Sequence, residues 1–202
     1  MHRRVAITGV GVVSGFGVGT DVFVDSIFAG KSAVRKLSWD ASMLSCQIGA
    51  EAPKYDAAPY FREAKDARRF EPTILHAVTA SRLALDHAQL TIGEELADRT
   101  ATYIGSGIGG LDTLWEQITK AANAGANRLT PFFIPNSISN MPCGIVSIES
   151  GARGPSFCTV SACASSGHAI GEAARLIRHG YADVALAGGT EDAINPAGMG
   201  GF

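Results

Sequence analysis

A layered α/β fold is predicted by three features of this 202-residue sequence. Apolar runs that end in glycine alternate with segments of helical periodicity. The runs are apolar on both faces, as the strands of a central parallel or mixed sheet are. No short-period repeat interrupts the alternation, and the length suits one domain with a substantial core.

VAITGVGVVS (5–14) is predicted as a first strand, nearly all apolar. DVFVDSIFAGKSA (21–33) follows as a short helix, with Thr20 or Asp21 to cap it and Gly30 to stop it. Residues 34–60 are irregular, and EAKDARRF (63–70) carries a basic surface from Lys65, Arg68 and Arg69. Residues 72–90 form a long helix. Pro72 suits its first turn, and Leu75, Val78, Leu83, Leu85 and Leu90 supply an apolar stripe. TATYIGSG (100–107) is a second strand, and 111–125 is a helix ending at Gly125. Residues 129–144 hold three prolines and no clean period, which predicts a long loop with short helical pieces. GPSFCTVSAC (154–163) is a third strand, 164–180 a helix closed by Gly180, and 182–193 a fourth strand. The tail NPAGMGGF (195–202) gives no secondary-structure signal.

Composition excludes several classes. A formal net charge of -2, with no long basic tract, gives no support for nucleic-acid binding. The 24 glycines point to tight turns and close backbone approaches. The cysteines at 46, 143, 158 and 163 form no CxxC pair, and no histidine stands at zinc-finger spacing. The first apolar run is too short and too glycine-rich for a signal or membrane segment. The expectation is a reduced, cytoplasmic protein with free thiols and no metal or membrane.

TGVGVVSG (8–15) and GSGIGG (105–110) are the glycine motifs. The first has Ser14 at the third glycine position, and its helix opens late. The second lacks the GK[ST] ending of a phosphate-binding loop. Both read as close packing at strand ends, and no nucleotide cofactor is expected.

VSACASS (160–166) raises the candidate nucleophile, Cys163, against the alternative of a buried, inert cysteine. Cys163 falls where strand gives way to helix, and the helix dipole favours a thiolate there. Ala162, Ala164, Ser165 and Ser166 are small enough to admit a thioester. No base is visible nearby. His168 is roughly 140° off the face of Cys163, and His179 is about 24 Å further along the axis. His76 and His87 read as surface or partly packed, and His2 sits at the terminus. Cys158 reads as core. Glu191 and Asp192 follow a buried strand, to hold structure or to touch the site.

Five ordered stretches now add up: RRVAITGVGVVS (3–14), IGSGIGGLDTL (104–114), PFFIPNSISNMPCG (131–144), GPSFCTVSACASSGHAIGEAARLI (154–177) and ADVALAGGTEDAINPAGMGGF (182–202). Together they resemble the amino-terminal half of a beta-ketoacyl-[acyl-carrier-protein] synthase, the elongating condensing enzyme of type II fatty acid or polyketide synthesis. The resemblance implies one half of the thiolase-like α-β-α-β-α architecture. It implies that Cys163 takes up an acyl group, with its own N–H as one oxyanion donor, and that a decarboxylated malonyl unit on acyl carrier protein then attacks that group. Ile108, Ala162, Gly198 and Phe202 match positions lining the acyl pocket, and Phe133 matches one reaching in from a dimer partner. Lys65, Arg68 and Arg69 fall where the family touches its acidic carrier protein.

The sequence covers 1–202, about half of a usual synthase. The two catalytic histidines, a structural lysine and the second oxyanion donor of the family belong to the other half. The expectation is a second polypeptide that completes the fold and a dimer of the completed synthase. The alternatives are a half-length piece of a longer chain, a thiolase-type acyltransferase, and a non-catalytic fragment or structural subunit. The SACASSGHAIGEA block favours a synthase over a thiolase, and Cys163 argues against a non-catalytic chain-length subunit.

Overall fold

TATYIG is buried along its whole length, and this dictates the centre of the molecule. In the computed structural model, which describes residues 3–202, it forms strand β5 (Thr100–Gly105). Parallel strands β6 (Ser156–Phe157) and β7 (Val184–Gly189) flank it, with Thr102 opposite Ser156 and Thr100 opposite Val184. Parallel neighbours require long crossovers, and helices supply them.

Alternate residues of β5 face opposite ways. Ala101 and Tyr103 meet Ala169 and Ala173 of helix α7 (Ser165–His179). On the other face Ile104 joins Ile74, Val78 and Leu85 of α2 (Pro72–His87) and Cys143, Ile145 and Val146 of α6 (Met141–Ser150). The three layers are helix, sheet and helix. Alanine dominates the α7 side, which lets that helix lie close to the strands.

Around this core lie α1 (Thr20–Phe28), α3 (Glu94–Ala97), α4 (Leu111–Ala124), α5 (Phe133–Ser137) and α8 (Pro196–Gly201). Two two-residue hairpins pair β1 (Val13–Ser14) with β2 (Gly17–Val18) and β3 (Arg35–Lys36) with β4 (Ile48–Gly49). Pro72 occupies the first turn of α2 as expected. Gly125 and Gly180, both at positive φ, end α4 and α7.

Four sequence expectations need correction. The strand expected over 5–14 reaches a ladder only at Val13–Ser14. Gly9 and Gly11 are instead pressed against the backbone of α2 at Ala84 and Ala80, and the Val10 carbonyl accepts from Thr20 Oγ1. The strand expected over 154–163 keeps only Ser156–Phe157, because the following residues turn to build the site. The segment 129–144 holds the short helix α5, as a loop with helical pieces would, but its last residues begin the longer α6, so Cys143 lies inside a helix at 2% exposure. The tail forms α8, capped by Asn195 Oδ1 accepting from the Gly198 N–H at 2.8 Å. No helix among the described residues is long and apolar enough to cross a membrane.

Candidate active site

Strand β6 gives way to an elbow at 158–164 that delivers the chain to α7. Ala162 holds φ 52, a left-handed conformation that costs an L-residue about 1–2 kcal/mol. Such strain persists only where surrounding contacts over-determine it. Ser165 supplies most of them and is 3% exposed. Its Oγ accepts from the Ser161 N–H at 2.9 Å and donates to the Ala162 carbonyl at 2.7 Å. Its own carbonyl accepts from Thr159 Oγ1 at 2.7 Å. The sequence had suggested only that Ser165 is small, whereas the structure makes it the clip of the elbow.

The clip presents Cys163 to solvent, two residues ahead of the first turn of α7. The Cys163 N–H has no acceptor among the described residues. Close approach sets the elbow against the sheet. A Cβ on Gly105 would meet the Ser165 carbonyl oxygen at 2.6 Å, and one on Gly189 would meet Ser166 Cβ at 2.6 Å. The glycines that end β5 and β7 therefore let the start of α7 rest on the strand ends.

The other thiols differ from Cys163. Cys143 is buried, with Sγ 3.2 Å from both the Thr102 and Phe157 carbonyls. Cys158 is half-buried, burial pushes its thiol pKa up, and its Sγ lies 3.1 Å from the Ser139 carbonyl. Cys46 is exposed in the irregular stretch.

Among the described residues no histidine is hydrogen-bonded to the Cys163 thiol. His168 turns back to Ser161, with Nδ1 2.6 Å from Ser161 Oγ. His87 meets the Val10 backbone at 3.2 Å. His76 stacks on Tyr55, whose hydroxyl lies 3.0 Å from its Nδ1. Burial pushes the His76 pKa down to about 4, so the ring is neutral at physiological pH. His2 lies outside the described residues.

Ile108 is half-buried in the turn after β5, and that turn abuts Ala162: a Cβ on Gly107 would come within 3.4 Å of Ala162 Cα. Gly198 and Phe202 sit on and just after α8, which packs against α4, and Phe202 is 93% exposed. Phe133 opens α5, also against α4. The structure thus brings Ile108 beside the elbow, and places Phe133 and Gly198 on helices packed against α4, with Phe202 just beyond α8. Lys65, Arg68 and Arg69 are exposed in and beside a 3₁₀ turn at Asp66–Arg69, where Arg69 pairs with Asp66 at 3.1 Å.

Glu191 links these parts. One carboxylate oxygen accepts from the Gly107 and Ile108 N–H groups at 2.6 and 3.2 Å, and the other from Ser106 Oγ at 3.0 Å. Near the turn lie three acids, Glu71 buried and Asp112 and Asp192 half-buried. Burial pushes Glu71 up to about 7 and Asp112 up to about 6, and it also raises Asp192. Glu71 is 6% exposed, and neither of its carboxylate oxygens has a hydrogen-bond partner.

The family model of the beta-ketoacyl synthase N-terminal domain matches residues 2–202. The chain belongs to the beta-ketoacyl synthase family. Over 201 residues this synthase domain is 39% identical to 3-oxoacyl-[acyl-carrier-protein] synthase 2 of Synechocystis sp., covering 99% of this chain and 48% of that protein. The enzyme of the same name from Coxiella burnetii is 40% identical over the same shares. The chain spans about half the length of the curated relatives it matches. A beta-ketoacyl synthase structure from Burkholderia phymatum superposes with a TM-score of 0.82 at 30% identity, over 98% of this chain and 48% of that one. The ishigamide ketosynthase/chain length factor superposes with a TM-score of 0.91 at 24% identity, over 100% of this chain and 50% of that one. The synthase domain therefore has the thiolase-like condensing-enzyme fold.

Proposed function

We propose that this chain carries the nucleophile of a beta-ketoacyl-[acyl-carrier-protein] synthase. The observation that carries the reading is Cys163, exposed at a strained elbow that Ser165 pins to the end of the sheet. The Cys163 thiolate attacks the carbonyl of an acyl thioester, and the carrier thiol leaves as the thiolate and takes up a proton. The free Cys163 N–H offers a hydrogen bond to the oxyanion of the tetrahedral intermediate. Malonyl-carrier protein then loses carbon dioxide. The resulting carbanion attacks the Cys163 thioester, forms the new carbon–carbon bond and expels the Cys163 thiolate. The product is a 3-ketoacyl-carrier thioester two carbons longer.

Decarboxylation requires hydrogen-bond donors for the developing enolate, and we assign these to histidines of a second half of the fold. A second polypeptide completing the fold fits the apolar side chains left uncovered on α1 and the preceding segment. Phe28 is 87% exposed, and Ile7, Val22 and Ile27 are exposed with it. The exposed Trp115, Ile118 and Ile134 of α4 and α5 suit a dimer contact beside Phe133. Ile108, Phe133, Ala162, Gly198 and Phe202 are proposed to line the acyl pocket. Lys65 and Arg68 are proposed to draw the acidic carrier protein, with Arg69 weakened in that role by its pairing with Asp66.

The test is transfer of an acyl group from acyl-carrier protein to the assembled synthase, followed by mass analysis of peptides. The acyl mass is expected on Cys163, and Cys163→Ala is expected to lose both that mass and 3-ketoacyl product. An acyl group on another residue, or full condensation by Cys163→Ala, would overturn the reading.

A further inference from the structure

One carboxylate fastens the turn after β5 to the end of β7, beside the elbow. Glu191 leaves the end of β7, one residue beyond Thr190, whose N–H donates to the Gly105 carbonyl at 3.0 Å. Its carboxylate receives two backbone N–H groups and one hydroxyl from the turn at Ser106–Ile108. Ser106 Oγ in turn accepts from the Gly109 N–H at 3.0 Å, which closes the turn on itself. A Cβ on Gly107 would meet Glu191 Oε2 at 2.9 Å on one side and Ala162 Cα at 3.4 Å on the other. The glycine turn is therefore a thin wedge between the carboxylate and the backbone that precedes Cys163. A turn that lost these bonds would leave the strained Ala162 without its backing.

We propose that Glu191 is a positioning residue for Cys163, holding the 106–109 turn against Ala162 so that the thiol keeps its presentation. This rests on the nucleophilic role assigned to Cys163. The shape of the carboxylate is what matters. Gln retains one oxygen that can accept both backbone N–H groups, whereas Asp is one carbon too short to reach the turn.

The experiment compares Glu191→Ala, Glu191→Asp and Glu191→Gln in the assembled protein purified from its own cells. Two readouts are taken. Acyl transfer to Cys163 gives kcat and KM separately, and iodoacetamide gives the alkylation rate of Cys163 relative to the exposed Cys46 in the same molecule. Glu191→Ala and Glu191→Asp are expected to lower kcat by about 10–100-fold with KM little changed, the scale at which a misplaced group loses rate. The Cys163-to-Cys46 alkylation ratio is expected to fall with kcat, and Glu191→Gln to recover most of both. Wild-type kcat in Glu191→Ala and Glu191→Asp would overturn the proposal. So would Glu191→Gln losing as much as Glu191→Ala, which would make charge the operative property. Failure of all three variants to assemble would also overturn it, by making the residue a folding requirement. If wild type accepts no acyl group, the condensing role fails, while the alkylation ratio still decides the role of Glu191.

Discussion

Cys163 and Cys143 show how the same side chain is exposed or buried by its backbone. Cys143 lies within α6 with its sulfur against two carbonyls, while Cys163 stands at the elbow facing solvent. Iodoacetamide applied to the native protein at neutral pH is expected to label Cys163 and Cys46 and to spare Cys143, as peptide mass mapping would read. Labelling of Cys143 at the rate of Cys163 would contradict the burial that separates them. Glu71 supports a second prediction at this scale. Burial, together with the charges of Asp192 and Asp112, pushes its carboxyl from the ordinary 4.5 up to about 7. The folded protein thus holds a proton there that the unfolded chain releases above pH 4.5. Stability is highest below that value, falls as pH rises toward 7, and is flat beyond. At about 1.4 kcal/mol per pKa unit the loss is on the order of 3 kcal/mol. Glu71→Gln is expected to be more stable than wild type at pH 8 and to show a shallower decline in urea midpoint between pH 5 and 7. Asp112 and Asp192, shifted in the same direction, leave some of the slope in place. An unchanged slope in Glu71→Gln would contradict the assignment.

The elements that the sequence foretold are those whose signals are local. Strand β5, helices α2, α4 and α7, and strand β7 each carry a long apolar period and a proline or glycine at an end. The misread elements depend on distant partners. An apolar run such as 5–14 becomes a strand only where a neighbour offers a ladder, and Gly9 and Gly11 are occupied by α2 instead. Helix α8 did have a local signal, Asn195 as cap and Pro196 in the first turn, but three glycines and one phenylalanine obscured it. Cys163 was legible because its strand-to-helix setting is local. The Ser165 clip and the reach of Glu191 across 83 to 85 residues were not. The junction of strand ends with α7 makes a prediction at this scale. Gly105→Ala would drive a Cβ into the Ser165 carbonyl, and α7 would have to shift. A loss of about 1–3 kcal/mol in urea denaturation is expected, with slower acylation of Cys163. A stability and acylation rate equal to wild type would show that the elbow does not rest on the strand end.

At the scale of the whole molecule, Cys163 and the contacts that pin its elbow lie within this chain, and the proposed reaction assigns the groups that decarboxylate a malonyl unit to a second half. The apolar side chains exposed around α1 and the preceding segment fit a complementary half that covers them. Native mass measurement on the protein purified from its own cells tests this most directly. The account predicts a particle that contains, beside or joined to this 21.0 kDa chain, a second half of similar size bearing two histidines. A lone 21.0 kDa species, or a homodimer of it, that still condenses acyl and malonyl thioesters would contradict the account.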